Sequence, residues 1–103
     1  MNKNTEFFTT QEPDILLSEI AGYFEDCGYK FEVADNKYKV KGTIIQENEE
    51  PIKMTIKILK AESGKFAVDF NRNAGDSLKF FQHFAAIKDY FGDIVDATYW
   101  KYT

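Results

Sequence analysis

From Pro13 to Cys27 the apolar residues Ile15, Leu16, Ile20, Tyr23, Phe24 and Cys27 recur at helical spacing, the pattern of a segment that buries one stripe. Pro13 suits a first helical turn and Gly28 a helix end, and the acids Glu12 and Asp14 favour the positive N-terminal end. The pattern predicts a first helix over about residues 12–27. The period then changes to two. In "YKFEVA" Tyr29, Phe31 and Val33 alternate with Lys30 and Glu32, "ADNKY" supplies a turn, and "YKVKGTII" alternates again, so two strands form a hairpin. "PIKMTIKILK" sets Ile52, Met54, Ile56 and Ile58 against Lys53, Thr55 and Lys57. After the turn "AESGK", "FAVDF" does the same with Phe66, Val68 and Phe70 against Ala67 and Asp69, giving a third and a fourth strand. The helical period returns in "NAGDSLKFFQHFAAIKDYFG". There Asp76 is placed to cap the start, Phe80, Phe84, Ile87 and Phe91 form the stripe, Leu78, Phe81 and Ala85 widen it, and Gly92 ends it. The tail carries Ile94, Val95, Tyr99, Trp100 and Tyr102 and is expected to pack in part on the domain or on a partner.

The expected fold class is therefore α+β: a four-stranded antiparallel meander with two helices on one face, in the order α-β-β-β-β-α. Each helix must bury a stripe, so both cover the same face. The open face then carries Lys30, Lys39, Lys41, Lys53 and Lys57 with Thr43, Thr55, Ala67 and Asp69.

Length and composition fit that picture. A chain of 103 residues makes one domain, residues 1–103, and buries roughly two-thirds of the surface its unfolded form exposes. Aromatic residues are 17% of the chain, enough to fill a core without disulfides. The single Cys27 cannot form an internal disulfide, and one Cys with one His falls short of a structural zinc site, so no metal and no cofactor is expected. No apolar run approaches the ~20 residues that span a bilayer, and residues 1–12 lack the basic start and apolar stretch of a signal peptide. A monomer in the nucleus and cytoplasm is the expectation.

Charge refines the picture. The net charge of −4 speaks against nucleic acid as a partner, but it is unevenly placed. Residues 1–36 hold eight acids and two lysines, a balance of −6, while residues 37–103 hold eleven bases and nine acids, +2. Five lysines on one sheet face offer an attractive surface to acidic groups, although a solvated face kept from sticking by its charge has the same pattern.

Candidate chemistry is sparse. Asp69-Phe70-Asn71 is one residue away from the Asp-Phe-Gly that holds magnesium in protein kinases, but no glycine-rich phosphate loop, strand lysine or His-Arg-Asp loop accompanies it. No nucleophile–base pair or carboxylate constellation occurs, so this segment is not expected to be an enzyme. Gly75-Asp76 reads as a tight turn with a cap. Arg72 lies exposed before it, able to grip a carboxylate or phosphate. His83 has no second ligand near it in sequence and suits a helix surface or a satisfied core position.

The element order and three stretches resemble the kinase-associated domain 1 family, the C-terminal module of several Ser/Thr protein kinases, and within it the checkpoint-kinase branch. The stretches are "TEFFT" (Thr5 to Thr9), "CGY" (Cys27 to Tyr29) and "VDFNRNAGDSLKFFQHF" (Val68 to Phe84). The chain departs from the family pattern at Glu6 and over most of the tail. The resemblance implies a non-catalytic module that folds back on the kinase domain of its own polypeptide and holds it inactive until checkpoint phosphorylation releases it. It implies contacts through Arg72, Gly75, Asp76, Leu78, Phe80 and His83. Other branches of the family bind anionic phospholipids, for which Lys39, Lys41, Lys53, Lys57 and Arg72 are the candidates here.

Overall fold

The computed structural model of the chain describes residues 5–95. Five strands and two helices follow in the order β1 (Glu6–Thr9), α1 (Pro13–Cys27), β2 (Lys30–Ala34), β3 (Lys39–Gln46), β4 (Glu49–Lys60), β5 (Phe66–Ala74) and α2 (Ser77–Tyr90). The strands make one antiparallel sheet ordered β1-β5-β4-β3-β2. The expected meander is present as β2 to β5. The sheet nevertheless has five strands, not four, because "EFFT" adds β1 beside β5 with Glu6 opposite Asp69 and Thr9 opposite Phe66. Thr5 anchors the start of β1: its hydroxyl donates to the carbonyl of Phe70 at 2.8 Å, and its own carbonyl accepts from the Phe70 N–H at 2.9 Å. β1 buries Phe7 and Thr9 completely, which offsets the entropy of ordering so short a strand.

Both helices lie on one face of the sheet. One continuous core joins Leu16, Leu17, Ile20 and Phe24 of α1, Phe80, Phe84 and Ile87 of α2, and the inward residues of the strands, among them Val40, Ile52, Met54, Ile56, Val68 and Phe70. The helix ends obey their local chemistry. Pro13 occupies the first turn of α1, and Gly28 closes it in the left-handed conformation (φ 76°), its N–H donating back to the carbonyl of Glu25 at 3.0 Å. Asp76 caps α2 by accepting from the Lys79 N–H at 2.9 Å.

Phe24 fixes the spacing between α1 and the sheet. Its ring lies edge-on to Tyr29 at 5.9 Å and to Phe31 at 6.1 Å, and it sits over Gly42, where a Cβ would come within 2.0 Å of the ring. Only glycine permits this approach. Ile94 and Val95 pack against the core, as the apolar tail led one to expect; Tyr99, Trp100 and Tyr102 lie outside the described residues.

Candidate interaction surfaces

β5 runs into α2 through Gly75, whose φ is +96° and whose missing Cβ would meet the Pro51 carbonyl at 2.7 Å. A side chain would be strained and crowded here, which suits the position to glycine, and the turn brings the start of α2 over the beginning of β4. Asp76 then caps the helix, and Lys79 forms an ion pair with Glu49 across to β4. That pair is half-exposed and adds little stability. Arg72 is exposed, and its Nη1 donates to the Gly75 carbonyl at 2.9 Å. The guanidinium is thereby held over the turn at the exposed surface.

The predicted site residues divide on this frame. Arg72, Gly75, Asp76 and Leu78 come together at the start of α2. Phe80 does not join them at the surface, because it is 5% exposed and belongs to the core. Leu78 does not share the buried stripe: it is 64% exposed, Phe81 is 44% exposed, and Ala85 is exposed too. These three stand at i, i+3 and i+7, so they line one side of the helix next to the buried Phe80, Phe84 and Ile87. Phe81 keeps its ring 5.8 Å from that of Phe84, which fixes it in place without covering it.

His83 is half-buried on α2 and packs against Tyr29, the residue just before β2. Its ring stands at 89° to that of Tyr29 with centroids 6.0 Å apart, and burial holds its pKa below the usual 6.5. Desolvation favours the neutral imidazole. Beside it, burial and the neighbouring Cys27 thiol push the Tyr23 hydroxyl up to about 12, and Tyr23 packs edge-on to Tyr90 at 5.0 Å. These groups are a packing cluster between α1, α2 and β2.

The lysine candidates lie on the open face, as their alternation requires, but with acids among them. Lys39 stands opposite Lys57 on the neighbouring strand, and Lys57 in turn stands opposite Asp69; Lys41 lies between Thr55 and Glu32, and Lys53 between Thr43 and Ala74. Lys37, Lys39 and Lys41, with Glu32, Val33 and Ala34, line a small cavity of about 160 Å³. The face is also less open than the alternation suggests. Asp69, Thr55 and Ala67 are 5%, 8% and 7% exposed, so Asp69 is not the solvent-facing residue the pattern predicts. Asn71 donates through Nδ2 to Asp69 at 2.9 Å, and the Thr55 hydroxyl donates to Asn73 at 2.6 Å. Among the described residues no group of three or more His, Cys, Asp or Glu side chains is placed to hold a metal ion, and no helix is long and apolar enough to cross a membrane.

No protein-family model matches the chain, and no curated protein matches it in sequence. Solved structures do. A chain in the crystal structure of the adenylate sensor from AMP-activated protein kinase, in complex with 5-aminoimidazole-4-carboxamide 1-beta-D-ribofuranotide, superposes with a TM-score of 0.59 over 75% of this chain and 84% of that one, at 18% identity. The chain shares the fold of that sensor chain. At this identity the likeness is one of backbone architecture.

Proposed function

We propose that this domain is a non-catalytic regulatory module of a Ser/Thr protein kinase that binds the kinase domain of its own polypeptide and restrains it. The docking surface is the start of α2: Leu78, Phe81 and Ala85 as the apolar contact and Arg72 as the charged one. The observation that carries this reading is the second apolar stripe of α2, exposed beside a buried one, with an exposed guanidinium at its end. A helix that presents apolar residues on both its core side and its solvent side is suited to a partner. The fold shared with a chain of a kinase's adenylate sensor and the resemblance of Val68 to Phe84 to the kinase-associated domain 1 pattern support a kinase as the setting. On that resemblance the finer reading is autoinhibition in DNA-damage and replication checkpoint signalling, in the nucleus and cytoplasm.

The test adds this domain in trans to the separate kinase domain of its parent chain and follows binding and phosphorylation of a peptide. Leu78→Arg and Arg72→Glu change exposed side chains, so both variants keep the wild-type thermal transition. Binding and suppression by the wild type and their loss in both variants is the expected result. A wild-type domain that neither binds nor suppresses the kinase domain sinks the reading.

A second reading has its own observation. Lys39 and Lys57 face each other across β3 and β4, with Lys37 and Lys41 beside them, and this cluster suits the phosphate of an anionic phospholipid. Salt-sensitive sedimentation with vesicles rich in phosphatidylserine, weakened by Lys39→Glu and Lys57→Glu and unaffected by Leu78→Arg, would favour it.

A further inference from the structure

We propose that the outer edge of β2, together with the groove between β2 and α1, binds an extended basic segment of a partner polypeptide by adding it to the sheet as a sixth strand. The inference stands on this edge alone and is independent of the regulatory reading.

β2 is the last strand of the sheet, and it pairs only with β3 among the described residues. Along Lys30–Ala34 its outer side therefore presents alternating N–H and C=O groups with no strand opposite them. The other edge, β1, is four residues long.

The ground beside β2 is shaped for side chains. Phe24 packs on Phe31 near the start of β2, and Leu17 and Ala21 lie beside Val33 near its end, so α1 runs antiparallel along the strand. Ser18 and Ala21 are small, and the helix leaves a groove of about 470 Å³ lined by Asp14, Leu17, Ser18, Ala21 and Val33. Val33 points to the covered face of the sheet yet is 39% exposed. An added strand lies about 4.8 Å outside β2 and would set every second side chain over this apolar floor.

Charge selects the occupant. α1 contains no Lys or Arg and carries Asp14, Glu19, Glu25 and Asp26. Asp14, Ser18, Ala21 and Glu25 stand at i, i+4, i+7 and i+11, on the side that borders the groove. The two acids are about 16 Å apart along the helix axis; basic residues four apart on one side of an extended strand stand about 13 Å apart, and their long side chains reach the difference. The matching segment has two basic residues four apart, with a small apolar residue midway, all on one side of the strand. A second copy of this chain is disfavoured, because pairing β2 with β2 would set two acidic helices side by side.

The experiment titrates the isotopically labelled domain with the capped peptide Thr-Lys-Thr-Val-Thr-Lys-Thr and reads backbone amide shifts. Three controls accompany it: the peptide with Glu in place of both Lys, the peptide with alternate backbone amides methylated, and the variants Ser18→Trp and Asp14→Asn/Glu25→Gln, each first checked for an unchanged thermal transition. The expected result is saturable shifts at Lys30–Ala34 and along the groove side of α1. Binding should weaken roughly fivefold in the double variant, the size of two surface charge contacts. It should be lost with Ser18→Trp and with either control peptide. Equal binding of the Glu peptide, shifts confined to other surfaces, wild-type affinity in Ser18→Trp, or no shifts at millimolar peptide would each overturn the proposal.

Discussion

The two faces of this sheet are built from the same strands, one residue out of phase, and they differ in nearly everything else. On the covered face Val40, Ile52, Ile56 and Val68 keep no exposed surface and join both helices in one core. On the open face Lys41 and Lys53 reach solvent, while Thr55 and Asp69 are almost fully buried, Thr55 bonded to Asn73 and Asp69 to Asn71. The period-two pattern decides which face a residue occupies. It does not decide how much of that face water reaches, since that depends on the neighbours the fold supplies.

The largest test of this contrast uses two residues one step out of register on neighbouring strands. Ile56→Ala removes buried methylenes between Val40 and Phe70 and should lower the unfolding free energy by about 2–5 kcal/mol. Lys41→Ala, on the other face, should stay within about 0.5 kcal/mol of wild type. Denaturant midpoints measure both, and comparable losses would mean that the open face is as structural as the covered one.

Next in size is Gly42→Ala. The new methyl meets the Phe24 ring at 2.0 Å, and that ring is held between Tyr29 and Phe31 with no exposed surface. Overpacking of this kind should cost about 1–3 kcal/mol. Phe24→Leu in the same chain should recover part of the loss, which a double-mutant cycle would read as coupling.

Asp76→Ala should cost about 1 kcal/mol by removing the side chain that accepts from the Lys79 N–H, and Asp76→Ser should retain most of it. This variant also serves the docking question. It loosens the start of α2 without touching Leu78 or Phe81, so kinase-domain binding that depends on the orientation of that turn should weaken while the fold persists.

Much of this architecture could be read from the chain because it is written locally. The 3.6-residue stripes of α1 and α2, the Gly28 stop, the Asp76 cap and the alternation in β2 to β5 each lie within one short window. β1 could not be read in this way. It is four residues long, and its partner β5 lies about sixty positions away, with Glu6 opposite Asp69, so no turn signal links them. The candidate surface was half legible. Leu78, Phe81 and Ala85 looked like a widening of one stripe, yet with Phe80, Phe84 and Ile87 they are more apolar positions than one face of a helix can bury, and that excess was the available signal for an exposed stripe. The burial of Asp69 left no local signal, since alternation places it on the open face and only the assembled sheet encloses it.

The smallest effect separates the two sides by charge. Burial holds His83 below its ordinary pKa of 6.5 on the covered side, so the unfolded chain binds a proton at a pH where the folded chain still refuses one. Stability should therefore be complete above the unfolded value and fall as pH drops below it. The fall should level off once the pH is beneath the folded pKa, where both states are protonated. Thermal transitions followed from about pH 7.5 to about pH 5.5, above the range of ordinary carboxylates, should show a decline that His83→Gln flattens and Lys41→Ala leaves unchanged. A decline that survives in His83→Gln would move the titrating group elsewhere and leave the packing of His83 against Tyr29 without an electrostatic cost.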